Sequence, residues 1–180
     1  MIVRTLLVWY KTQTFSIKWE NTLSSCFTVR NGTRQGGILS PVLFNVYIDG
    51  LSTILQNVNV GCYMNNVCCN HLIYADDTVL LAPSVTALQQ LLDICGDFIN
   101  KNDLQLNASK SKYMAFGTDI IKGFCYPNVL IDGQSVKYYS NVKYLGVQIS
   151  DDCSDDLSIL SCTKGNYSRG NLLKRNFSHC

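Results

Sequence analysis

Two adjacent carboxylates, Asp76 and Asp77, lie in the middle of this chain between two short apolar runs, and this pattern constrains the local fold most strongly. The runs are residues 71–73 and 79–81. Short apolar segments on either side of a small polar centre are typical of a tight β-hairpin. We therefore predict that both carboxylates lie at a hairpin tip. At a separation of about 4 Å they repel each other by roughly 1 kcal/mol in water and by about 4 kcal/mol at an effective dielectric constant of about 20.

The Asp pair alone allows two interpretations. A bound divalent cation would remove the repulsion, and Mg²⁺ typically uses one or two protein carboxylates together with substrate phosphates. The simpler interpretation is a surface turn, because Asp is common in turns. Taken without its neighbours, the pair favours the surface turn, so the surrounding motifs are needed to choose between the two.

Three further motifs accompany the Asp pair in a fixed order. Upstream, an Arg-Gln-Gly-Gly block at residues 34–37 leads into a Leu-Ser-Pro-Val-Leu-Phe-Asn run at 39–45. Downstream, residues 104–112 end in two lysines and residues 143–147 read Lys-Tyr-Leu-Gly-Val. With the Tyr-Ala-Asp-Asp box at 74–77, this order resembles the palm of a reverse transcriptase from a non-long-terminal-repeat retrotransposon of the jockey-like kind. The resemblance runs from about Leu6 to the end of the chain, and the combination is specific although each motif alone is weak.

The resemblance implies a fold and an activity. The implied fold is α+β, with a polymerase palm-type antiparallel sheet and packed helices, divided into a partial palm at residues 1–150 and the start of a thumb-like helical segment at 151–180. The implied function is RNA-directed DNA polymerisation by two-metal phosphoryl transfer, with Mg²⁺ or Mn²⁺ as the cofactor. The implied partners are an RNA template, a DNA primer and deoxynucleoside triphosphates.

The resemblance also implies roles for single residues. Asp76 and Asp77 match the catalytic, metal-binding carboxylates, and Lys110 matches a lysine that can protonate the departing pyrophosphate. By the same resemblance, the residues near the incoming nucleotide and the template are Arg34, Gln35, Gly36 and Tyr74. The hairpin that grips the primer end is matched by Tyr144, Leu145 and Gly146.

Each of these assignments has a plainer alternative that the residues leave open. The glycines near Gln35 could be turn glycines before a helix, and Tyr144 to Gly146 could be a strand with a bulge glycine. Lys110 and Lys112 could be solvated loop charges, and the choice between them as general acid is open. The scattered basic residues of the C-terminal segment are typical of a solvated helix face, with a phosphate-backbone contact as the alternative. They are Lys164, Arg169, Lys174 and Arg175.

Composition narrows the class of protein. The chain is 47% hydrophobic and 16% charged, which is typical of a globular domain, and its net charge of +2 is too small to indicate nucleic-acid binding by itself. The nine cysteines include no Cys-x-x-Cys pair, so we interpret them as reduced thiols rather than a zinc site or a disulfide framework. His71 and His179 have no partners at ligand spacing and are interpreted as structural. No stretch is long and apolar enough to span a membrane. Since the apolar run at Met1 to Tyr10 has no small-residue cleavage site and the cysteines are interpreted as reduced, the protein is expected to be intracellular, whether nuclear or cytoplasmic.

Hydrophobic periodicity predicts the secondary structure. Apolar residues at three- and four-residue spacing predict one helix after Ser40 and Pro41 and a second after Ser84. The first helix has its predicted apolar face at Leu39, Val42, Leu43, Val46, Tyr47, Leu51, Ile54 and Leu55. Alternation predicts a half-buried strand through Phe15, Ile17 and Trp19 that pairs with residues 26–29, and further strands at 104–106, 114–116 and 145–149. Asp132-Gly133 predicts a two-residue hairpin turn.

One element of the family pattern is absent from this sequence. Related polymerases use three catalytic carboxylates, and before Arg34 the chain has only Glu20 as an acid. We therefore expect a fragment that is cut at both ends, lacks the fingers and the first catalytic Asp, and is inactive in isolation. The alternatives are a non-catalytic nucleic-acid-binding remnant and a decayed open reading frame. Without the neighbouring strand, the edge at residues 72–74 is expected to promote self-association.

Overall fold

The computed structural model describes residues 2–29, 32, 36–117 and 126–177. The chain divides into two compact units, Met1–Gly50 and Leu51–Cys180. Four helices and thirteen short strands occur in the described ranges. The predicted α+β class is confirmed.

The first unit begins with helix α1 and four very short strands. Their bounds are α1 Ile2–Thr12, β1 Thr14–Phe15, β2 Lys18–Trp19, β3 Thr22–Leu23 and β4 Phe27–Thr28. Strand β1 pairs antiparallel with β4, as predicted, and β2 pairs with β3. The prediction of one continuous half-buried strand is wrong, because the segment breaks after Phe15: β1 pairs with β4, whereas β2 pairs with β3 through a turn at Glu20, with φ +52°. Ile17 and Trp19 are consequently exposed.

Helix α2 spans Ser40–Asn57, close to the predicted position. Its buried apolar side chains are Ile48, Leu51 and Leu55, which share one face at three- and four-residue spacing. The predicted apolar face was too wide, since Val46 is 70% exposed and Val42 is also exposed. The periodicity identifies the helix correctly, but it does not show which part of a broad apolar face is covered.

Two consecutive hairpins follow α2. The first consists of β5 Cys62–Met64 and β6 Val67–Cys69, joined through Asn65 and Asn66 at φ +49° and +64°. Both values suit a two-residue type I′ turn, which Asn tolerates. The second consists of β7 His71–Tyr74 and β8 Asp77–Leu80, paired antiparallel. The predicted hairpin around the Asp pair is confirmed.

Helix α3, Val85–Lys101, starts where the sequence predicts. The Ser84 hydroxyl accepts a hydrogen bond from the Ala87 amide at 3.2 Å, which is ordinary N-capping. Leu91, Cys95 and Ile99 form the buried stripe, and burial raises the pKa of the Cys95 thiol to about 11. On the other side of the helix, the Gln89 side chain donates to the Leu130 carbonyl at 2.9 Å and accepts from the Leu130 amide at 3.0 Å.

A three-stranded sheet packs against α3. Its strands are β9 Lys112–Tyr113, β10 Val129–Ile131 and β11 Gln134–Tyr138, in the order β10-β11-β9 with β9 parallel to β11. The Asp132-Gly133 turn joins β10 to β11 as predicted, and Val129, Ile131 and Val136 form a buried core cluster. The strands predicted at 104–106 and 114–116 are wrong. Leu106 packs on the core from a loop, a turn closed on Asn107 follows it, and the next strand is the two-residue β9, which ends before residue 114.

The last elements are β12 Asn141–Tyr144, β13 Val147–Ser150 and α4 Asp156–Phe177. Strands β12 and β13 form an antiparallel hairpin, and α4 packs against β13. Within the described ranges the strands form six separate small sheets, and five of these have only two strands. The hairpin of Asp76 and the hairpin of Tyr144 therefore belong to different sheets.

The backbone at Gly61 lies very close to Asn70. Gly61 has φ +135°, and a Cβ at this position would lie 2.2 Å from the Asn70 Cβ and 3.2 Å from the Leu81 carbonyl oxygen. Only glycine fits both the conformation and the space. Gly61 precedes β5, Asn70 precedes β7 and Leu81 follows β8. The start of the first hairpin therefore lies against the base of the second hairpin.

We predict that Gly61→Ala lowers the free energy of unfolding by about 3 kcal/mol or more, because overpacking and a backbone conformation that only glycine adopts each cost about 1–3 kcal/mol. The matched control is Gly117→Ala, where φ is +73° but no atom lies within 4 Å of the new Cβ. Its expected cost is about 1 kcal/mol. Urea unfolding of both variants measures the difference, and equal losses would contradict the close packing at Gly61.

Candidate functional site

The Asp pair lies at the tip of the β7–β8 hairpin. Tyr74 pairs with Asp77, so that Ala75 and Asp76 form the two-residue turn between them. Both carboxylates are exposed, and Tyr74 is 63% exposed. Ala75 has φ +52°, a left-handed conformation that costs an L-residue about 1–2 kcal/mol. The hairpin therefore exposes two adjacent carboxylates to solvent. The turn that carries them includes one residue, Ala75, in an unfavourable backbone conformation.

The base of this hairpin is fixed by Asn70, which is 1% exposed. Its side-chain Nδ2 donates to the Leu55 carbonyl at 2.7 Å and to the Val60 carbonyl at 2.9 Å. Its backbone carbonyl accepts from the Leu81 amide at 2.9 Å, which extends the β7–β8 ladder by one step. Asn70 thus connects the hairpin to the end of α2 and to the loop that follows it.

His71 continues this network to the helix. Because two carbonyls accept from Asn70 Nδ2, the amide oxygen Oδ1 faces His71 Nδ1 at 2.7 Å and accepts a hydrogen bond from the Nδ1–H group. His71 Nε2 is then left without a proton and accepts from the Ser52 hydroxyl at 2.8 Å. Burial lowers the pKa of His71 below its ordinary value of 6.5, which favours the neutral ring. The histidine serves to position strand β7, as the sequence suggests.

The donor set at the tip limits the kind of cation that could bind. In the part of the chain that the structure describes, no group of three or more His, Cys, Asp or Glu side chains is arranged to hold a metal ion. A cation at Asp76 and Asp77 would need further ligands from water or from a bound phosphate. This donor set fits Mg²⁺, which commonly takes one or two carboxylates and keeps several waters.

Of the predicted nucleotide-binding residues, Gly36 lies in the first unit and Tyr74 in the second. Gly36 is exposed, with φ +79°, and no atom lies within 4 Å of the position that a Cβ would occupy. This backbone conformation explains why glycine occupies the position. Arg34 and Gln35 lie outside the described residues.

The predicted primer grip lies at the tip of the β12–β13 hairpin. Tyr144 pairs with Val147, and the turn between them consists of Leu145 at φ +47° and Gly146 at φ +91°. Gly146 is therefore a turn residue, and the alternative of a bulge glycine within a strand is wrong. Leu145 is exposed and Tyr144 is half-buried. Like Ala75, Leu145 is a non-glycine residue in the left-handed region at a hairpin tip.

The two candidate lysines have different surroundings. Lys110 ends a turn in which its amide donates to the Asn107 backbone carbonyl and side-chain Oδ1, each at 3.1 Å. Lys112 begins β9, and its Nζ lies 4.7 Å from the centre of the Tyr139 ring. The aromatic ring therefore holds the Lys112 ammonium, whereas Lys110 extends from an exposed turn. Strand β9 shares no hydrogen-bonded sheet with either hairpin among the residues that the structure covers.

Sequence reasoning missed Asn70, Ser52 and Gly61. Asn70 separates two strands and looks like a turn residue, and Ser52 is a polar residue within the predicted helix. The roles of the three residues arise from tertiary contacts between residues 9 to 19 positions apart. The one available signal was Asn70 itself, which with His71 interrupts the otherwise apolar run from Val67 to Ile73.

Comparison with known families bears on this site. The family model described as reverse transcriptase (RNA-dependent DNA polymerase) matches residues 2–149, which is most of the chain. The chain belongs to the reverse transcriptase family. The match includes the Asp76 hairpin, Lys110 and the Tyr144 hairpin, and it confirms the resemblance seen in the sequence.

Relatives within the reverse transcriptase family come from insect retrotransposons. The chain is 38% identical over 95 residues to the Pol polyprotein of the type-2 element R2DM of Drosophila melanogaster, covering 53% of this chain and 9% of that protein. It is 33% identical over 131 residues to the Pol polyprotein of the type-1 element R2 of Popillia japonica, covering 68% of this chain and 21% of the relative. It is 26% identical over 143 residues to the RNA-directed DNA polymerase of the mobile element jockey of Drosophila melanogaster, covering 76% and 15%. The chain thus spans between about a tenth and a fifth of the length of these relatives.

None of the helices in the described ranges combines the length and the apolar character that crossing a membrane requires.

We predict that the stability of this reverse transcriptase chain depends on pH through His71. The pKa of the folded ring lies below the ordinary value of 6.5, so the unfolded state binds more protons between those two values. The free energy of unfolding should therefore be highest above about pH 6.5 and should decrease as the pH falls from there towards the folded-state pKa. Urea midpoints measured between about pH 8 and pH 5 should show a shallower decrease for His71→Gln than for the wild type. The same slope in both proteins would exclude His71 as the cause.

Proposed function

We propose that this chain forms part of an RNA-directed DNA polymerase and that Asp76 and Asp77 bind its divalent cation, Mg²⁺ or alternatively Mn²⁺. The observation that supports this most is the exposed carboxylate pair at the β7–β8 tip, within the region that matches the reverse transcriptase family. Two carboxylates at one tip repel each other, and a bound cation relieves that repulsion. An exposed pair also leaves room for the phosphates and waters that complete the coordination of Mg²⁺.

The bound cation would neutralise charge on the triphosphate and on the attacking primer oxygen, which is the main requirement of phosphoryl transfer. The protein would position the reactants around it. Asp76 and Asp77 would fix the cation at the hairpin tip, and the exposed Tyr74 would lie beside the incoming nucleotide. Lys110 would donate a proton to the departing pyrophosphate, a role that its exposed turn favours over the ring-bound Lys112.

The same proposal includes the remaining partners and the domain division. We assign Arg34, Gln35 and Gly36 to the deoxynucleoside triphosphate and the RNA template, and Tyr144, Leu145 and Gly146 to the DNA primer. Residues 1–150 would form the partial palm and 151–180 the start of the thumb, a division supported by the position of α4 after the last hairpin. Deoxynucleotide substrates imply an intracellular location.

We predict that Asp76 is the main metal ligand and Asp77 the weaker one. Loss of a group that only supports a ligand already costs about tenfold in metal affinity, so Asp76→Asn should weaken Mn²⁺ binding by about tenfold or more, and Asp77→Asn by less. Titration with Mn²⁺, followed by paramagnetic broadening of backbone resonances, measures both effects. Asp155→Asn is the matched control, because it removes an exposed acid before α4. Equal broadening around Asp76 and around Asp155 and Asp156 would refute the assignment.

Primer extension on an RNA template tests the activity with the same variants. The described residues provide two carboxylates at the tip, whereas the polymerases that the chain resembles use three. The isolated chain is therefore expected to give no product with Mg²⁺ and deoxynucleotides. Extension above background that disappears in Asp76→Ala would overturn that expectation and identify a complete active site. Loss of both metal binding and RNA binding would instead favour a decayed open reading frame.

We further propose that the outer edge of β7 pairs with a strand of a second copy of this chain. In the described ranges β7 has β8 as its strand partner and belongs to a two-stranded sheet. Leu72 is 55% exposed on this strand, and an apolar open edge favours pairing between chains.

Light scattering at micromolar concentration is expected to show association of the wild type and a shift towards monomer for Leu72→Lys, because a lysine on an edge strand opposes pairing. Val147→Lys is the matched control, since Val147 is 54% exposed on β13. A wild-type chain that is a stable, cooperatively melting monomer would refute the proposal.

A further inference from the structure

The parallel pairing of β9 with β11 places two lysines side by side. Lys112 and Lys137 are direct register partners, and both are exposed. Like charges at directly opposed positions of a sheet destabilise it. A bound polyanion would remove this cost, so the pair is a candidate for contact with phosphates.

An exposed aromatic ring lies on the same face. Tyr139 continues β11, because its amide donates to the Tyr113 carbonyl at 3.0 Å. It follows Lys137 by two residues and therefore points to the same side of the sheet. The Lys112 ammonium lies 4.7 Å from the ring centre, and Tyr139 remains 38% exposed. The lysine orients the ring without covering it completely.

The opposite face of these strands is packed and holds the surface in place. Val136 is buried in the core, and the rings of Tyr113 and Tyr138 meet edge to face with their centres 5.5 Å apart. The Tyr113 hydroxyl donates to the Pro127 carbonyl at 2.6 Å, and the Tyr138 hydroxyl donates to the Asp151 carboxylate. Because packing on the opposite face fixes the two strands, the two lysines and Tyr139 keep their relative positions in the absence of a ligand.

We propose that Lys112, Lys137 and Tyr139 form a binding surface for single-stranded nucleic acid, which we call the lysine–tyrosine surface. The lysines contact backbone phosphates, and Tyr139 stacks on a base. Ammonium groups along a backbone path combined with an exposed ring are the features of single-strand binding without sequence preference. An acidic peptide would use the lysines alone, so the contribution of Tyr139 distinguishes the two kinds of ligand. The strands of this surface belong to a different sheet from the Asp76 and Tyr144 hairpins, and the proposal does not depend on polymerase activity.

The experiment uses the full chain and a fluorescent oligouridylate of about twelve nucleotides, with anisotropy measured at several salt concentrations. Lys112→Ala and Lys137→Ala should each weaken binding and reduce the slope of log affinity against log salt by about 0.7. Tyr139→Ala should weaken binding about fivefold or more at every salt concentration without a change of slope, and Tyr139→Phe should bind like the wild type. Lys101→Ala, which removes an exposed lysine at the end of α3, is the charge-matched control and should keep the wild-type slope.

Three results would overturn the proposal. The first is no binding of the oligonucleotide by the wild type, and the second is an equal loss for Lys101→Ala and Lys137→Ala. The third is a Tyr139→Ala variant that binds like the wild type while polyglutamate competes as well as RNA, which would identify a surface for acidic peptides. The oligonucleotide titration is run in EDTA without Mg²⁺ or Mn²⁺, and the Mn²⁺ titration is run without oligonucleotide, so failure of the polymerase proposal and failure of this one are separable.

Discussion

The amide side chain of Asn70 is the interaction on which the candidate site most depends. It donates to two carbonyls and accepts from His71 while it is almost completely buried, so that all of its main hydrogen-bonding groups are used. Loss of this side chain would leave two carbonyls and an imidazole without their partner, at about 1–3 kcal/mol for each buried group. Gly61 makes the network possible, because any side chain there would displace Asn70. The exposed carboxylates at one end of the hairpin are thus positioned by a buried amide at the other end.

The hairpin tips differ in how well their residues suit the turn. The turns at Asn65-Asn66 and Asp132-Gly133 consist of residues that tolerate positive φ, whereas Ala75 and Leu145 adopt it at a cost. Two strained tips, those at Ala75 and Leu145, are the ones proposed to contact metal and primer. Strained backbone is common at functional sites, where the required position of a side chain outweighs local preference. Glu20, at the β2–β3 turn, has a similar φ of +52°, so the φ values alone do not single out the two proposed tips.

Local patterns predict much of this fold, and tertiary contacts explain the rest. The Asp76 hairpin, the start of α3 after Ser84 and the Asp132-Gly133 turn are specified within a few residues, and all three predictions are correct. The prediction of a strand at 104–106 is wrong, because Leu106 packs on the core from a loop without strand pairing. An alternating pattern does not distinguish such a loop from a strand. The neighbours Lys112 and Lys137 were not predicted, since a parallel pairing of residues 25 positions apart leaves no local pattern.

The side-chain amide of Gln89 makes the two hydrogen bonds to β10 that the backbone of a neighbouring strand would otherwise make. It offers the β10 backbone a donor and an acceptor at the spacing of a peptide group, and it occupies the outer edge of the sheet at Leu130. A new strand cannot pair with that edge without displacing the side-chain amide of Gln89, which belongs to helix α3. An additional strand would therefore have to pair with β9, at the opposite edge of the sheet. The sheet can be extended at the β9 edge but not at the β10 edge.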